Sequence, residues 1–128
     1  MICLSDYVGL PYRKGARGPD AYDCWGLVMH FYAHELGLVL PDFSYTPDRA
    51  GYMGAVERGL EIFKKVDAPS MYDIVLLKIV GRPYHTGLYV KEKTGDRILH
   101  AYRERDGSVL DRLSQWQNQI EGYYSWAK

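Results

Sequence analysis

Cys24 is the residue whose setting first suggests chemistry. It follows Asp23, a good helix N-cap, and it begins a stretch in which Leu27, Val28, Phe31 and Leu38 keep helical spacing. A cysteine there sits in the first helical turn, where unpaired amide N–H groups and the helix dipole favour a negative charge. A free thiol, with a pKa of about 8.5, is only slightly ionised at neutral pH. A helix N-terminus lowers that value, and an adjacent imidazolium lowers it further.

Two histidines can supply the imidazole. His85 opens a strand in Tyr84-His85-Thr86-Gly87-Leu88-Tyr89-Val90, next to a glycine that permits close approach. His100 lies on the following strand, in Ile98-Leu99-His100-Ala101, and a hairpin between them makes the two lateral neighbours in the sheet. A second histidine bonded to the first fixes which ring nitrogen carries the proton. Nucleophile, base and orienting group together make a triad for acyl transfer. The expected geometry is a Cys24 sulfur within roughly 4 Å of a His85 nitrogen, since such pairs often sit loose without substrate. The His85 and His100 nitrogens are expected at roughly 3 Å.

Each of these residues has a plainer reading. A lone cysteine is usually a small buried packing residue, and a lone histidine an ordinary surface or core side chain. Their joint placement favours chemistry. Cys3 has no such setting and reads as a packing residue. A Cys3–Cys24 bridge is arithmetically available, but a single pair in a soluble domain reads as free thiols. His30 and His34 have the i, i+4 spacing of a zinc pair, yet the glutamate of the metalloprotease pattern is missing. No other metal, phosphate or dinucleotide motif is present, so neither metal nor organic cofactor is expected.

The elements that must hold these residues follow from punctuation and period. Residues 1–23 read as a short helical turn and a loop dense in Gly and Pro. The Cys24 helix comes next, with Gly37 placed to end it in a left-handed cap. A second helix is predicted from Thr46-Pro47 to about Lys65, with Met53, Val56, Leu60 and Phe63 on one face. After Pro69 the period changes to that of strands, predicted at 73–80, 86–91, 97–102, 109–113 and 123–126. Helices first and hairpin-linked strands afterwards describe a single α+β domain, 1–128, with an antiparallel sheet of about five strands.

Composition narrows the function classes. With 128 residues the chain can build one real core but not two ordinary ones. Sixteen basic residues balance sixteen acidic ones, which argues against a nucleic-acid partner. The longest apolar stretch, around Ile74 to Leu77, is too short to cross a bilayer, so no membrane insertion is expected. The N-terminus lacks the basic and apolar regions of a signal peptide. The expectation is a protein made in the cytoplasm that leaves it, if at all, within a larger assembly. Twelve tyrosines suit a half-buried sheet or a groove lined by amphipathic rings.

Taken in order, these motifs resemble the NlpC/P60 cysteine peptidases. Tyr12, followed a dozen positions later by Asp23-Cys24-Trp25-Gly26-Leu27-Val28, resembles that family's nucleophile region. Asp73-Ile74-Val75, His85-Thr86-Gly87-Leu88-Tyr89-Val90 and Leu99-His100-Ala101 resemble its following strands. The resemblance implies a papain-like fold with Cys24 as nucleophile, His85 as base, His100 as the orienting residue and Tyr12 beside the nucleophile, assisting the oxyanion. Asp23, Trp25 and Tyr84 are then assigned to the substrate groove. The implied substrate is a peptidoglycan stem peptide, cut at the bond between D-glutamate and a diamino acid.

Within the family, Asp-Cys-Trp-Gly and the C-terminal Ile120-Glu121-Gly122-Tyr123-Tyr124 are similar to domains of phage tail assembly and tail-tip proteins. That implies other tail-tip proteins as partners, with the virion tail, the host cell wall or the periplasm as the place of action. Three departures bear on the groove. Trp25 replaces a usual serine, Met71-Tyr72 replaces a Pro-Gly turn, and Arg82-Pro83-Tyr84 is bulkier than the usual residues before the histidine. Two alternatives stay open: a non-catalytic structural tail domain, and a cysteine amidase or acyltransferase acting on another substrate.

Overall fold

The computed structural model describes residues 2–42, 62–79 and 84–126. A 3-10 turn, Leu4–Tyr7, and an irregular segment lead into helix α1, Cys24–Phe31. The next residues, Tyr32–Leu36, widen into a π turn. Gly37 then takes the left-handed conformation at φ +67°, and the N–H groups of Gly37 and Leu38 both donate to the Tyr32 carbonyl. The predicted start and stop of this helix are therefore met, with a looser last turn than the α pattern implies.

Six strands follow: β1 Phe63–Val66, β2 Ile74–Lys78, β3 Tyr84–Val90, β4 Arg97–Tyr102, β5 Gly107–Arg112 and β6 Ile120–Trp126. They form one antiparallel sheet in the order β1-β6-β2-β3-β4-β5. The second helix predicted at 47–65 lies outside the described residues as far as residue 61, and its last turn is corrected: Phe63–Val66 is strand. Phe63 pairs with Trp126, meets its ring edge-on at 5.5 Å and is buried. Burial against a distant partner outweighs the local helical spacing. β3 also starts earlier than predicted, so His85 is its second residue and pairs with Leu77.

Alternation along the strands separates two apolar layers. Ile74, Leu76, Leu88, Val90, Leu99 and Ala101 face the main core, where Leu27, Val28 and Phe31 of α1 fill the space above them. Val75, Leu77, Tyr89 and Ile98 form a second cluster covered by Leu113 and Trp116 of a 3-10 segment, Leu113–Gln119, and by Ile120 and Tyr123. His85 and His100 share the parity of the second face, and Trp116 stacks against both rings.

The N-terminal segment is tied to the same sheet. The Ser108 hydroxyl donates to the Tyr7 carbonyl at 2.6 Å and accepts from the Leu10 N–H at 2.8 Å. Pro11 bridges Gly107, and the Tyr22 N–H donates to the Pro11 carbonyl at 2.9 Å. Cys3 is exposed rather than packed, its sulfur 3.0 Å from the Ser5 hydroxyl; it lies too near the N-terminus to reach the core.

Candidate active site

The first turn of α1 is built around Asp23. Its backbone is extended, and its carboxylate oxygen Oδ1 accepts from the Gly26 N–H at 2.7 Å, as a helix cap should. The same oxygen takes the Arg17 guanidinium at 2.7 Å, and Arg17 also holds Asp42 at 2.8 Å. Gly26 is required here for space: a Cβ would lie 2.3 Å from the Ala16 carbonyl oxygen. That carbonyl also accepts from the Asp23 N–H, so the preceding loop is clamped against the helix start. Cys24 is the first residue of this helix, a buried free thiol.

The histidines sit at one end of the sheet. The β3–β4 ladder pairs Leu88 with Leu99 and Tyr89 with Ile98, and one further step sets Gly87 beside His100. His85 and His100 are therefore diagonal neighbours rather than directly opposite, with the glycine between them. A Cβ at Gly87 would stand 2.9 Å from the His100 Cβ and 2.7 Å from Ile98 Cδ1, so the sequence requires glycine for the two strands to close. Across that gap His85 Nε2 lies 2.7 Å from His100 Nδ1, as the hairpin argument expected.

Sequence reasoning missed what lies behind His100. Its Nε2 is 3.0 Å from Asp111 Oδ2 on β5. The Trp116 indole N–H donates to the same oxygen at 3.2 Å, and Arg105 Nη1 lies 3.3 Å from Oδ1. The hydrogen bond from His100 holds the Asp111 carboxyl below the usual range, opposed by burial and reinforced by Trp116 and Arg105. One signal was available: aspartate is depleted in strands, and Asp111 interrupts an otherwise apolar Val109-Leu110 run.

The remaining predicted site residues are placed as follows. Tyr12 forms a parallel bridge with Tyr22, two residues before Cys24, and packs partly buried against the main core. Trp25 is buried, and its indole N–H donates to the Pro41 carbonyl at 3.0 Å. Tyr84 begins β3 opposite Lys78; its side chain lies outside the described residues, as do Arg82 and Pro83. His30 stacks on Tyr22 at 4.8 Å and lies 5.6 Å from His34. Burial, then the neighbouring His34, lowers the His30 pKa. Among the described residues no three His, Cys, Asp or Glu side chains cluster as a metal site would need. A cavity of about 320 Å³ lined by Asp96, Arg112, Gln117 and Tyr123 includes none of the predicted site residues.

The strand pairings bring the nucleophile region to the histidine end of the sheet. Tyr102, whose ring is 5.5 Å from that of His85, pairs with Gly107; Gly107 bridges Pro11, and Pro11 bonds Tyr22. A cysteine capped at a helix start, over an antiparallel sheet that ends in a hydrogen-bonded histidine pair, is the arrangement of a papain-like α+β domain. The model of the NlpC/P60 family matches residues 9–123, and the chain belongs to that family. Its fold is similar to the crystal structure of the NlpC/p60 domain of the peptidoglycan hydrolase SagA, at 17% identity and a TM-score of 0.65, covering 94% of this chain and 91% of that one. No curated protein matches the chain.

Proposed function

We propose that this protein is a cysteine peptidase that hydrolyses amide bonds in peptidoglycan stem peptides. Cys24 is the nucleophile, His85 the base, and His100 the residue that orients it. The observation that carries this reading is the 2.7 Å contact between His85 Nε2 and His100 Nδ1, at the sheet end to which the Tyr102–Gly107–Pro11–Tyr22 connections lead the start of α1. Family membership supports the reaction class, and the similar fold of a peptidoglycan hydrolase domain supports the substrate class.

The chemistry runs through the thiolate–imidazolium pair. Cys24 gives its proton to His85 and attacks the amide carbonyl, with the helix N-terminus favouring the thiolate. The Cys24 backbone amide and Tyr12 stabilise the oxyanion. His85 then protonates the leaving amine, and afterwards takes a proton from water as that water releases the acyl group. The bond cut is the one between D-glutamate and a diamino acid, and the protein works as a phage tail component in assembly or cell-wall penetration.

The test is digestion of purified peptidoglycan, with products identified by mass spectrometry and Cys24→Ala as control. New stem-peptide termini released by the native protein alone are expected. Equal release by both proteins would favour the structural tail role, and cleavage of small amides or thioesters in place of stem peptides would move the assignment to another acyl substrate.

A further inference from the structure

Asp111 is a buried acid that the triad does not account for. Its Oδ2 receives two groups, the Trp116 indole N–H at 3.2 Å and His100 Nε2 at 3.0 Å. An ionised carboxylate accepts only, so His100 Nε2 must carry a proton. A neutral imidazole has one N–H, which leaves His100 Nδ1 with a lone pair. That lone pair faces His85 Nε2 at 2.7 Å, so the proton between them belongs to His85. Its other nitrogen, Nδ1, is then the one left with a lone pair.

We propose that Asp111 is a positioning residue which, by holding a proton on His100 Nε2, sets the tautomers of both histidines and leaves His85 Nδ1 as the base toward Cys24. The inference rests on the peptidase reading for its last step only. When His85 takes the Cys24 proton on Nδ1, nothing else has to move: Nε2–H still donates to His100, and His100 still donates to Asp111. The imidazolium charge is then balanced by a carboxylate one neutral ring away. With Asp111 absent, His100 is free to carry its proton on Nδ1 and to donate to His85 Nε2. A neutral His85 is then protonated on Nδ1 and cannot accept from the thiol.

The surroundings leave no other group in this role. His100 is fully buried, and the groups facing it are His85 from β3, Asp111 from β5, Tyr102 stacked at 5.5 Å on its own strand, and Trp116 edge-on at 5.1 Å from the 3-10 segment. Arg105, half-exposed, reaches only the outer oxygen of Asp111. The ionised state of Asp111 has its own physical cause in the His100 hydrogen bond, with Trp116 and Arg105 adding to it.

The test compares the native protein with Asp111→Asn and Asp111→Ala. Imidazole tautomers and the His85 titration are read by nitrogen-15 NMR, and kcat and KM on peptidoglycan are followed against pH. In the native protein both histidines should show Nε2–H. In Asp111→Asn the amide oxygen still accepts from Trp116 and His100, so the tautomers persist, while loss of the charge moves the His85 imidazolium pKa and the alkaline limb of kcat/KM down by roughly half a unit to one unit. In Asp111→Ala the tautomers mix, and kcat falls roughly ten- to a hundredfold with little change in KM. A native His100 protonated on Nδ1, or an unshifted His85 titration in both variants, overturns the proposal. The NMR arm needs no substrate, so failure to digest peptidoglycan would count against the peptidase reading and not against this one. Thermal melts identify any variant that fails to fold, and Asp111→Asn, which keeps shape and acceptor, then decides alone.

Discussion

Replacing Gly87 with alanine tests fold and site together. The added methyl would stand 2.7 Å from both Cγ1 and Cδ1 of Ile98 and 2.9 Å from the His100 Cβ, whereas carbon atoms rest at about 3.5–4.0 Å. Ile98 and His100 are both fully buried, so neither can swing into solvent. β4 must therefore retreat from β3 by something near 1 Å, or Ile98 must leave its rotamer. Overpacking of this kind costs about 1–3 kcal/mol, against a gain of about 0.5–1 kcal/mol from replacing glycine within a strand. The net expectation is about 1–2 kcal/mol of destabilisation, a fall in Tm of about 5–10 °C for a chain of this size. Because β4 carries His100, the same retreat should stretch the bond to His85, and kcat should fall with KM little changed. Circular-dichroism melts and peptidoglycan digestion measure the two effects. Ile98→Val in the Gly87→Ala background removes one of the clashing atoms and should cost less than it does alone. A Gly87→Ala protein that melts at or above the native temperature and retains full activity would refute the close-approach argument.

Four further outcomes follow from the same contacts. Ser108→Ala strips partners from the buried Tyr7 carbonyl and Leu10 N–H and should cost about 2 kcal/mol in urea unfolding. Thr86→Val should do the reverse: the Thr86 hydroxyl is buried with no hydrogen-bond partner among the described residues, so an isosteric methyl is expected to raise stability by about 1 kcal/mol. Asp111 has a folded pKa below its unfolded one, so its stabilisation is complete above about pH 5 and is lost as pH falls through the folded value; between those limits the native protein should lose more stability than Asp111→Asn. Burial, then the hydrogen bond to Asp96, pushes the Tyr89 hydroxyl up to about 12, so ultraviolet titration should show a late tyrosine that Tyr89→Phe removes. That group stabilises the fold fully below about pH 10, and its contribution disappears as pH rises through the folded value.

The parts of this fold that could be read from the chain are those with local causes. β4, Arg97–Tyr102, was predicted with its observed ends because turn residues bound it on both sides. The start of α1 was readable because Asp23 has a capping side chain and the apolar spacing begins just after it. β1 was not: Phe63 continues a helical spacing with Met53, Val56 and Leu60, and only pairing with Trp126, at the far end of the chain, makes it a strand. The histidine pair was legible because a short hairpin joins its strands. Asp111 was not, because its meeting with His100 depends on the β4–β5 register that sets His100 opposite Val109, and a one-residue slip would turn Asp111 to the other face.

The buried side of the histidine relay bears on where substrate preference is decided. His100 is fully enclosed, His85 nearly so, and Trp116 covers both of them and Tyr102. That cover keeps water from the His100–Asp111 bond, where a low dielectric strengthens it. A substrate on the proposed path therefore meets His85 from the Cys24 side, and preference must arise from the walls there. Trp25 lies next to the nucleophile, yet its ring is sunk in the core and bonded to the Pro41 carbonyl. The residue after Pro41 is Asp42, which holds Arg17, and Arg17 holds the Asp23 carboxylate that caps the helix under Cys24. Trp25 thus closes a ring of contacts around the helix start, and its effect on substrate choice runs through the placement of that loop rather than through direct touch.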